Sequence, residues 1–398
     1  MIAYTTYLTD ARVRREAETI ASLPDYRVSV FVLKEHAEAN TYILDGVEVV
    51  ELNVAKYRGK NTMKYLVSYI VFLMHAFLKC TGKYMSNTLD LVHVHNMPNF
   101  LVFAAIIPRL FGIKVILDIH DILIETYASK FNGFSNRLFK YGLHVEEWIC
   151  CKLASRIICT NHLQYQTLVD RGIAVKKLMV LMNLPDPAKF CMNGEKRNPM
   201  NQRGFRLVYF GTITKRLGID LAIRAVNEIR AKIPGLQFYI YGSGEDRDEF
   251  LELSRQLNLD AIVHFSEHAV PLEEIISIVK SMDLVIVPNR KNVATEQMLP
   301  VKMLEGLALG IPVVVPRLKP IEYYFTGEQV FFFEPENVQS LAMTIAQAYQ
   351  DRIGRDDKMK NAKKFFEKYA WETHKLDLIG LYRSLSTEKR PPLRKLLP

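Results

Sequence analysis

Cysteine is scarce. The 398 residues hold five, Cys80, Cys150, Cys151, Cys159 and Cys191, an odd number with no C-x-x-C pair. That usage supports neither a disulfide framework nor a zinc site, and it points to a reducing, cytoplasmic setting. No short-period repeat or low-complexity tract is present, and the aromatic-plus-basic signature of RNA binders and zinc-finger spacing are both lacking, so no nucleic-acid partner is expected. Met1–Tyr7 has no basic flank and no long apolar run, so no signal peptide is expected. A bilayer-spanning run is lacking as well. The most membrane-like stretch, Leu66–Leu78 (LVSYIVFLMHAFL), is too short to span and contains Ser68 and His75. The expected reading is a buried or half-buried helix of an α/β domain. Lys56, Arg58, Lys60, Lys64, Lys79 and Lys83 around it leave peripheral contact with an anionic membrane open, at the inner face of the cell membrane.

What is present is a long, folded, basic chain. Its length exceeds one ordinary core and suits two domains. A composition of 49% hydrophobic and 24% charged residues is that of a folded protein. The net charge of +9 is spread over both halves rather than gathered in one tail, which suits an anionic small substrate or an anionic membrane surface.

Short apolar runs alternate with helix-length segments. Arg27–Leu33, Leu89–His95, Ile113–Ile119, Ser155–Thr160 and Leu178–Met182 read as strands, and Phe100–Leu110 as a helix closed at Gly112. From residue 183 the periodicity vanishes into a Pro-, Gly- and Asn-rich stretch. A second series follows, with strands at Arg206–Phe210, Leu236–Tyr241, Ile262–Phe265, Leu284–Val287 and Pro312–Val315. Its helices are expected at Asp220–Ile233, Glu245–Leu257, Leu272–Ser281 and Val301–Leu309. The fold class expected is therefore α/β, two Rossmann-like domains of parallel sheet with ligands at the carboxyl ends of the strands, facing a shared cleft. The boundaries are 1–186, a linker at 187–205, 206–372, a closing helix at 373–387 and a basic tail at 388–398. For the tail, disorder is the expectation and attachment to acidic lipid the alternative.

The strongest local signal runs from Glu296 to Val315 (EQMLPVKMLEGLALGIPVVV): a loop, a short helix, Gly310 and a buried strand. A helix start offers free N–H groups and a positive dipole end, which suits a diphosphate. Lys302 lies in the first turn, and Glu305, one turn on, can accept hydrogen bonds from ribose hydroxyls; the bland alternative is a solvated helix residue. This segment resembles the retaining family-4 glycosyltransferases of the GT-B fold, and within them a subgroup reading L-P-x-K-x-x-E, here Leu299–Glu305. The resemblance implies a ribose-binding role for Glu305 and a donor-side wall at Gln297, Leu299, Val301 and Lys302. The family's first acidic position falls on Gln297, with Glu296 one residue out of register.

Four further stretches resemble the same family. Tyr209–Asp220 (YFGTITKRLGID) looks like its phosphate loop, implying donor contacts from Gly211, Thr212 and Lys215 and a diphosphate clamp at Arg216, since a guanidinium binds two phosphate oxygens at once. Thr212 and Leu217 stand where most members carry Arg and Lys. Gly242-Ser243-Gly244 matches the G-x-G turn after the next strand. Asp118–Glu125 (DIHDILIE) resembles D-x-H-D-x-x-x-E, whose His reaches the donor sugar, so His120 is a catalytic candidate with Asp121 able to fix its tautomer; His95 is read as structural. Asp10–Ala17 (DARVRREA) resembles the opening of the same subgroup and places Asp10, Arg12 and Arg15 on the acceptor side, Asp10 also being a good N-cap. Tyr369–Glu372 and Leu381-Tyr382 resemble the family's closing helix, which crosses back onto the first domain.

The resemblance implies a hexosyltransferase that retains anomeric configuration and needs no metal or other cofactor. Its co-substrate is a UDP- or GDP-linked sugar, and its acceptor a glycan or lipid-linked molecule in polysaccharide or glycoconjugate assembly. Two alternatives stay open: a non-catalytic glycosyltransferase-like subunit, and a nucleotide-sugar 2-epimerase on the same fold.

Overall fold

The structure is a computed structural model that describes residues 1–35, 39–57, 62–130, 137–190, 204–268 and 270–386. Arg58, Lys60, Cys191, most of the expected linker and the 388–398 tail lie outside the described residues. The chain divides into two compact units: residues 1–183 with 372–398, and residues 184–371.

In chain order the first unit contains β1 (Ile2–Ala3), α1 (Ala11–Ala21), β2 (Val28–Lys34), β3 (Thr41–Leu44), β4 (Val47–Ala55), α2 (Thr62–Met85) and β5 (Leu91–His95). A 3-10 segment, Asn99–Ala105, then leads into α3 (Ile106–Leu110), β6 (Lys114–Ile119), α4 (Leu123–Lys130), α5 (Arg137–Leu153), β7 (Arg156–Cys159), α6 (His162–Asp170) and β8 (Leu178–Val180). The strands form one eight-stranded sheet in the order β3-β4-β2-β1-β5-β6-β7-β8. All pairs are parallel except β3–β4, a hairpin whose Asp45-Gly46 turn has both φ values positive, as a two-residue hairpin of matching twist needs.

Each face of this sheet carries its own core. One holds Phe72, Ala76, Cys80 and Tyr84 of α2, Leu101 and Val102 of the 3-10 segment, and Cys150 and Cys151 of α5, under the strand residues Leu33, Val94 and Leu117. The other holds Val13, Ala17 and Ile20 of α1 against Val30, Val49 and Ile158. Leu378, Leu381, Tyr382 and Leu385 of the final helix join this second core.

The second unit contains β9 (Arg206–Phe210), α7 (Ile219–Ile229), β10 (Gln237–Tyr241), α8 (Arg247–Gln256), β11 (Val263–Phe265), α9 (Leu272–Lys280), β12 (Leu284–Ile286), α10 (Val301–Ala308), β13 (Val313–Pro316), α11 (Lys319–Tyr324), β14 (Phe331–Phe333), α12 (Val338–Gln350) and α13 (Arg352–Lys368). The last helix, α14, runs Trp371–Ser386. The six-stranded sheet, all parallel, has the order β11-β10-β9-β12-β13-β14. The two Rossmann-like units of the expected α/β class are thus observed.

Three expectations change. Asn99–Ala105 is 3-10 rather than the start of an α-helix, and only Ile106–Leu110 is α-helical. The Leu66–Leu78 helix extends at both ends to Thr62–Met85. Strands β1, β3, β4 and β14, for which the sequence reading had no element, complete the sheets.

The loops after β9 and β10 lie so close that only glycine fits between them. Gly211 N donates to Tyr241 O at 2.9 Å and Ile213 N to Ser243 O at 2.9 Å. A Cβ on Gly242, whose φ is 149°, would sit 1.8 Å from Gly211 O. Gly242→Ala therefore forces the two loops apart and is expected to destabilise the second unit by about 2 kcal/mol or more, read by urea unfolding. A loss within about 0.5 kcal/mol would show that the loops yield freely.

Candidate active site

In the second unit the polar groups gather at the carboxyl end of β9 and the start of α10. The Lys302 side chain lies over the Phe210 ring, Nζ 5.0 Å from its centre, and its stem passes Gly211, where a Cβ would meet Cε at 3.5 Å. Its ammonium donates to Glu305 Oε2 at 3.0 Å. Burial pushes the Glu305 carboxyl up from its ordinary value, and the Lys302 charge offsets part of that. Arg216 is half-buried, with Nη1 3.6 Å from Met298 Sδ. Its charge also bears on Tyr209, whose hydroxyl donates to Thr212 O at 2.5 Å. Lys302 beside Gly211 and Arg216 beside Met298, both near the start of α10, make a cradle for an anionic group.

The loop carrying Arg216 is held from two directions. Arg290 Nε donates to Lys215 O at 3.0 Å and its backbone N to Arg216 O at 3.3 Å, while Arg290 Nη2 pairs with Asp220 at 2.5 Å. Asp246 Oδ2 accepts from Lys215 N at 2.7 Å. Neither Arg290 nor Asp246 was singled out by sequence, since both act across the sheet. Lys215 is not in the cradle. Its side chain is exposed and its Nζ pairs with Glu249 at 2.7 Å on the far side. Thr212 is exposed, whereas Gln297, Leu299 and Val301 are half-buried before and at the start of α10. Glu296 turns towards Lys319, 3.8 Å away. Gly242 and Gly244 shape the neighbouring loop rather than offering groups of their own.

In the first unit, His120 follows β6 and sits over a buried ionic cluster. Asp118 is fully buried. It accepts from Arg12 Nε at 2.9 Å and Nη2 at 3.0 Å, and it meets His120 Nε2 at 3.1 Å and His95 Nδ1 at 3.2 Å. Arg12 Nε also lies 3.0 Å from Glu16 Oε1. His93 Nδ1 pairs with the Tyr382 hydroxyl of α14 at 2.8 Å. Burial raises the Asp118 carboxyl, but Arg12, His120 and His95 outweigh it and hold it well below the usual carboxylate range. For the His120 ring burial opposes the charged form, yet the Asp118 carboxylate raises it above its ordinary value. His93 and His95 are lowered by burial.

Two sequence expectations are corrected here. The group that orients His120 is Asp118, not Asp121, whose backbone O instead accepts from Asn96 Nδ2 at 2.7 Å. Arg12 does not present itself to an acceptor: it is buried, spent on Asp118, Glu16 and, at 2.9 Å, Leu181 O. Asp10 caps α1 through Val13 N, and Arg15 is half-buried on the same helix. Asp118, Glu16 and His93 were missed as partners of this site.

Glu16, His93, His95 and Asp118 place ligand atoms within 4.8 Å of one another, the spacing of a metal centre. The Arg12 guanidinium already lies between Glu16 and Asp118, and its fixed positive charge opposes a cation there. A second acidic spacing, Asp246-Arg247-Asp248, is split: Asp246 serves the Lys215 loop and the Asp248 side chain is fully exposed.

Two family models match the chain, a glycosyl transferase 4-like domain over residues 9–183 and glycosyl transferases group 1 over residues 194–365. Among curated proteins it is similar to a glycogen synthase of Mycobacterium tuberculosis, 22% identical over 80% of this chain and 74% of that protein. Among solved structures it is similar to a sucrose-phosphate synthase from Thermosynechococcus elongatus, with a TM-score of 0.79 and 17% identity over 98% of this chain and 99% of that one. Anabaena Alr3699/HepE in complex with UDP gives a TM-score of 0.66 and 16% identity, over 96% of this chain and 99% of that one. These likenesses, spanning nearly the whole chain, show the GT-B fold.

Burial pushes the Glu16 carboxyl up to about 7, with Arg12 opposing. A raised folded-state value means stability present below the unfolded carboxylate range and lost as pH climbs through about 7. Glu16→Gln, which cannot ionise, is expected to gain on the parent by about 1 kcal/mol or more between pH 5 and 8. Paired thermal melts read this, and a difference independent of pH would place Glu16 outside the titrating cluster.

Proposed function

We propose that this chain, which belongs to the glycosyltransferases of group 1 type, moves a hexose from a UDP- or GDP-linked donor to a glycan or lipid-linked acceptor with retention of configuration. The observation that carries this reading is the cradle of Gly211, Arg216, Lys302 and Glu305 at the start of α10. Arg216 and Lys302 take the diphosphate, with the free N–H groups of α10 beside them. Glu305, released from Lys302 as the phosphates arrive, accepts hydrogen bonds from the ribose hydroxyls.

In the transfer, the bond from the sugar C1 to the diphosphate oxygen breaks and a bond from C1 to the acceptor oxygen forms. The acceptor proton passes to the departing phosphate. Arg216 and Lys302 offset the charge that grows on that phosphate, the larger part of the acceleration in such sites. His120 holds a hydroxyl of the donor sugar, with Asp118 fixing its ring. Neither a metal nor a further cofactor enters this scheme. The UDP complex of the similar Anabaena protein and the even positive charge of this chain support a nucleotide-sugar donor. Polysaccharide or glycoconjugate assembly on the cytoplasmic side is the setting this chemistry suits.

Arg216→Ala is expected to lower kcat/KM by about 100-fold or more while leaving the melting temperature in place. Lys215→Ala, on the outer side of the loop, leaves transfer near the parent level. The donor is identified by thermal shift against UDP, GDP and ADP and their sugar conjugates, a ligand at 100 times its Kd adding about 2.7 kcal/mol. No shift with any nucleotide would overturn the reading in favour of a non-catalytic relative. Conversion of the donor sugar without an acceptor would make the chain an epimerase.

A further inference from the structure

Helix α2 is apolar on both sides. Its inner side, Phe72, Ala76, Cys80 and Tyr84, is spaced i, i+4, i+8, i+12 and is buried against the sheet. Its outer side is a second stripe at helical spacing: Met63, Val67, Ile70, Met74, Leu78 and Met85. These are exposed, Met74 by 52%, Leu78 by 62% and Met85 by 79%. Single exposed apolar residues are ordinary on a protein surface, but a stripe along six turns of helix is not. The described 23 residues Met63–Met85 are long and apolar enough to cross a bilayer by length and composition. Spanning is excluded by the inner stripe, which is part of the core of the first unit.

The stripe does not stand alone. Helix α5 packs on the same 3-10 segment as α2, and its outward residues include Tyr141, Val145, Trp148 and Ile149, with Trp148 exposed by 50%. The end of α3 adds Leu110, exposed by 75%, and Phe111, stacked on Tyr84 of α2. Charge on these helices is sorted. α2 has no Asp or Glu at all. The carboxylates of α5 turn inward, Glu146 to Asn99 at 3.1 Å and Glu147 to Arg171 at 2.8 Å. What remains outside is Lys79 on α2 and Lys140 and Lys152 on α5, all exposed, with the Lys152 ammonium 5.2 Å from the Trp148 ring.

The geometry points to this helical face of the first unit as a docking surface for an anionic lipid bilayer, with α2 lying in the interface plane. The apolar stripe enters the boundary between headgroups and acyl chains, the tryptophan and tyrosine sit at headgroup level, and the lysines meet lipid phosphates. A second copy of the chain fits less well, because a two-fold contact through this face would bring like lysines together with no carboxylate to meet them. The surface goes beyond the transfer reaction and does not rest on it, since binding is read without donor or acceptor.

The experiment uses the full chain with large unilamellar vesicles of phosphatidylcholine, alone or with phosphatidylglycerol. The chain is expected to co-sediment with the anionic vesicles, less so as salt rises. Trp148 emission shifts to the blue and is quenched by brominated acyl chains. Trp371, exposed by only 8%, is removed as a background in Trp371→Phe. Ile70→Glu with Met74→Glu, outward positions that leave the inner stripe intact, is expected to weaken binding at least tenfold at an unchanged melting temperature. Equal binding to both compositions, or binding unaffected in the double variant, overturns the proposal. So does a concentration-dependent dimer that the double variant abolishes, which would assign the face to a second copy.

Discussion

Asp118 carries its charge where no water reaches it, and the groups that hold it arrive from separate stretches of chain: Arg12 from α1, His95 from the end of β5 and His120 from the loop after β6. Removing one partner of such a buried pair leaves an uncompensated charge, a cost of about 3–5 kcal/mol. The cluster therefore fixes how α1 lies across the sheet ends. It also fixes the His120 ring. His120 is further anchored by its backbone, with N bound to Asn96 and O bound to Thr160 and Gln164. A side chain held in this way cannot adjust to a ligand; the ligand must come to it.

The cradle proposed for the donor in the second unit is built on the opposite plan. Its cations are half-buried, and Lys302 is paired with a carboxylate from the same helix that an anion can displace. Rigidity there lies in the backbone, in glycines that admit no Cβ and in Arg290 and Asp246, which hold the Arg216 loop by its carbonyl and amide groups. Fixed main chain with exchangeable ion pairs suits a site that binds and releases a charged group each cycle. In the first unit the ion pairs themselves are permanent. The same parallel-sheet architecture serves both, because the loops at the strand ends are free to differ.

Much of this was legible in the residues. β9 was read to its exact ends, and the turns at Gly211, Gly242 and Gly310 marked the elements around the cradle, because glycine at a strand-to-helix turn is a local signal. The partners of His120 were not legible in the same way. Arg12 and Asp118 are 106 residues apart, and nothing in D-x-R-V-R-R-E-A tells an arginine facing a ligand from one facing a buried aspartate. Arg290 was missed for the same reason, its carbonyl partner Lys215 lying 75 residues earlier. β1 is only two residues long, too short to show any period, and β14 is an all-aromatic run whose strand identity comes from its pairing with β13.

Helix α2 shows a further limit of sequence reading. Periodicity locates a buried face by contrast with a polar one, and here there is no contrast, since inner and outer stripes are both apolar. Such a helix reads as buried or half-buried without saying which. The structure shows the second: one stripe is in the core and the other is exposed. Folding accounts for the inner stripe alone. The outer stripe gives the first unit no packing, and it exposes the chain to aggregation unless something covers it. The lysines at its rim are not needed for packing either. Features that add nothing to the stability of the isolated chain, yet agree with one another in both hydropathy and charge, are accounted for by a partner with the same two properties, an apolar interior beneath an anionic surface.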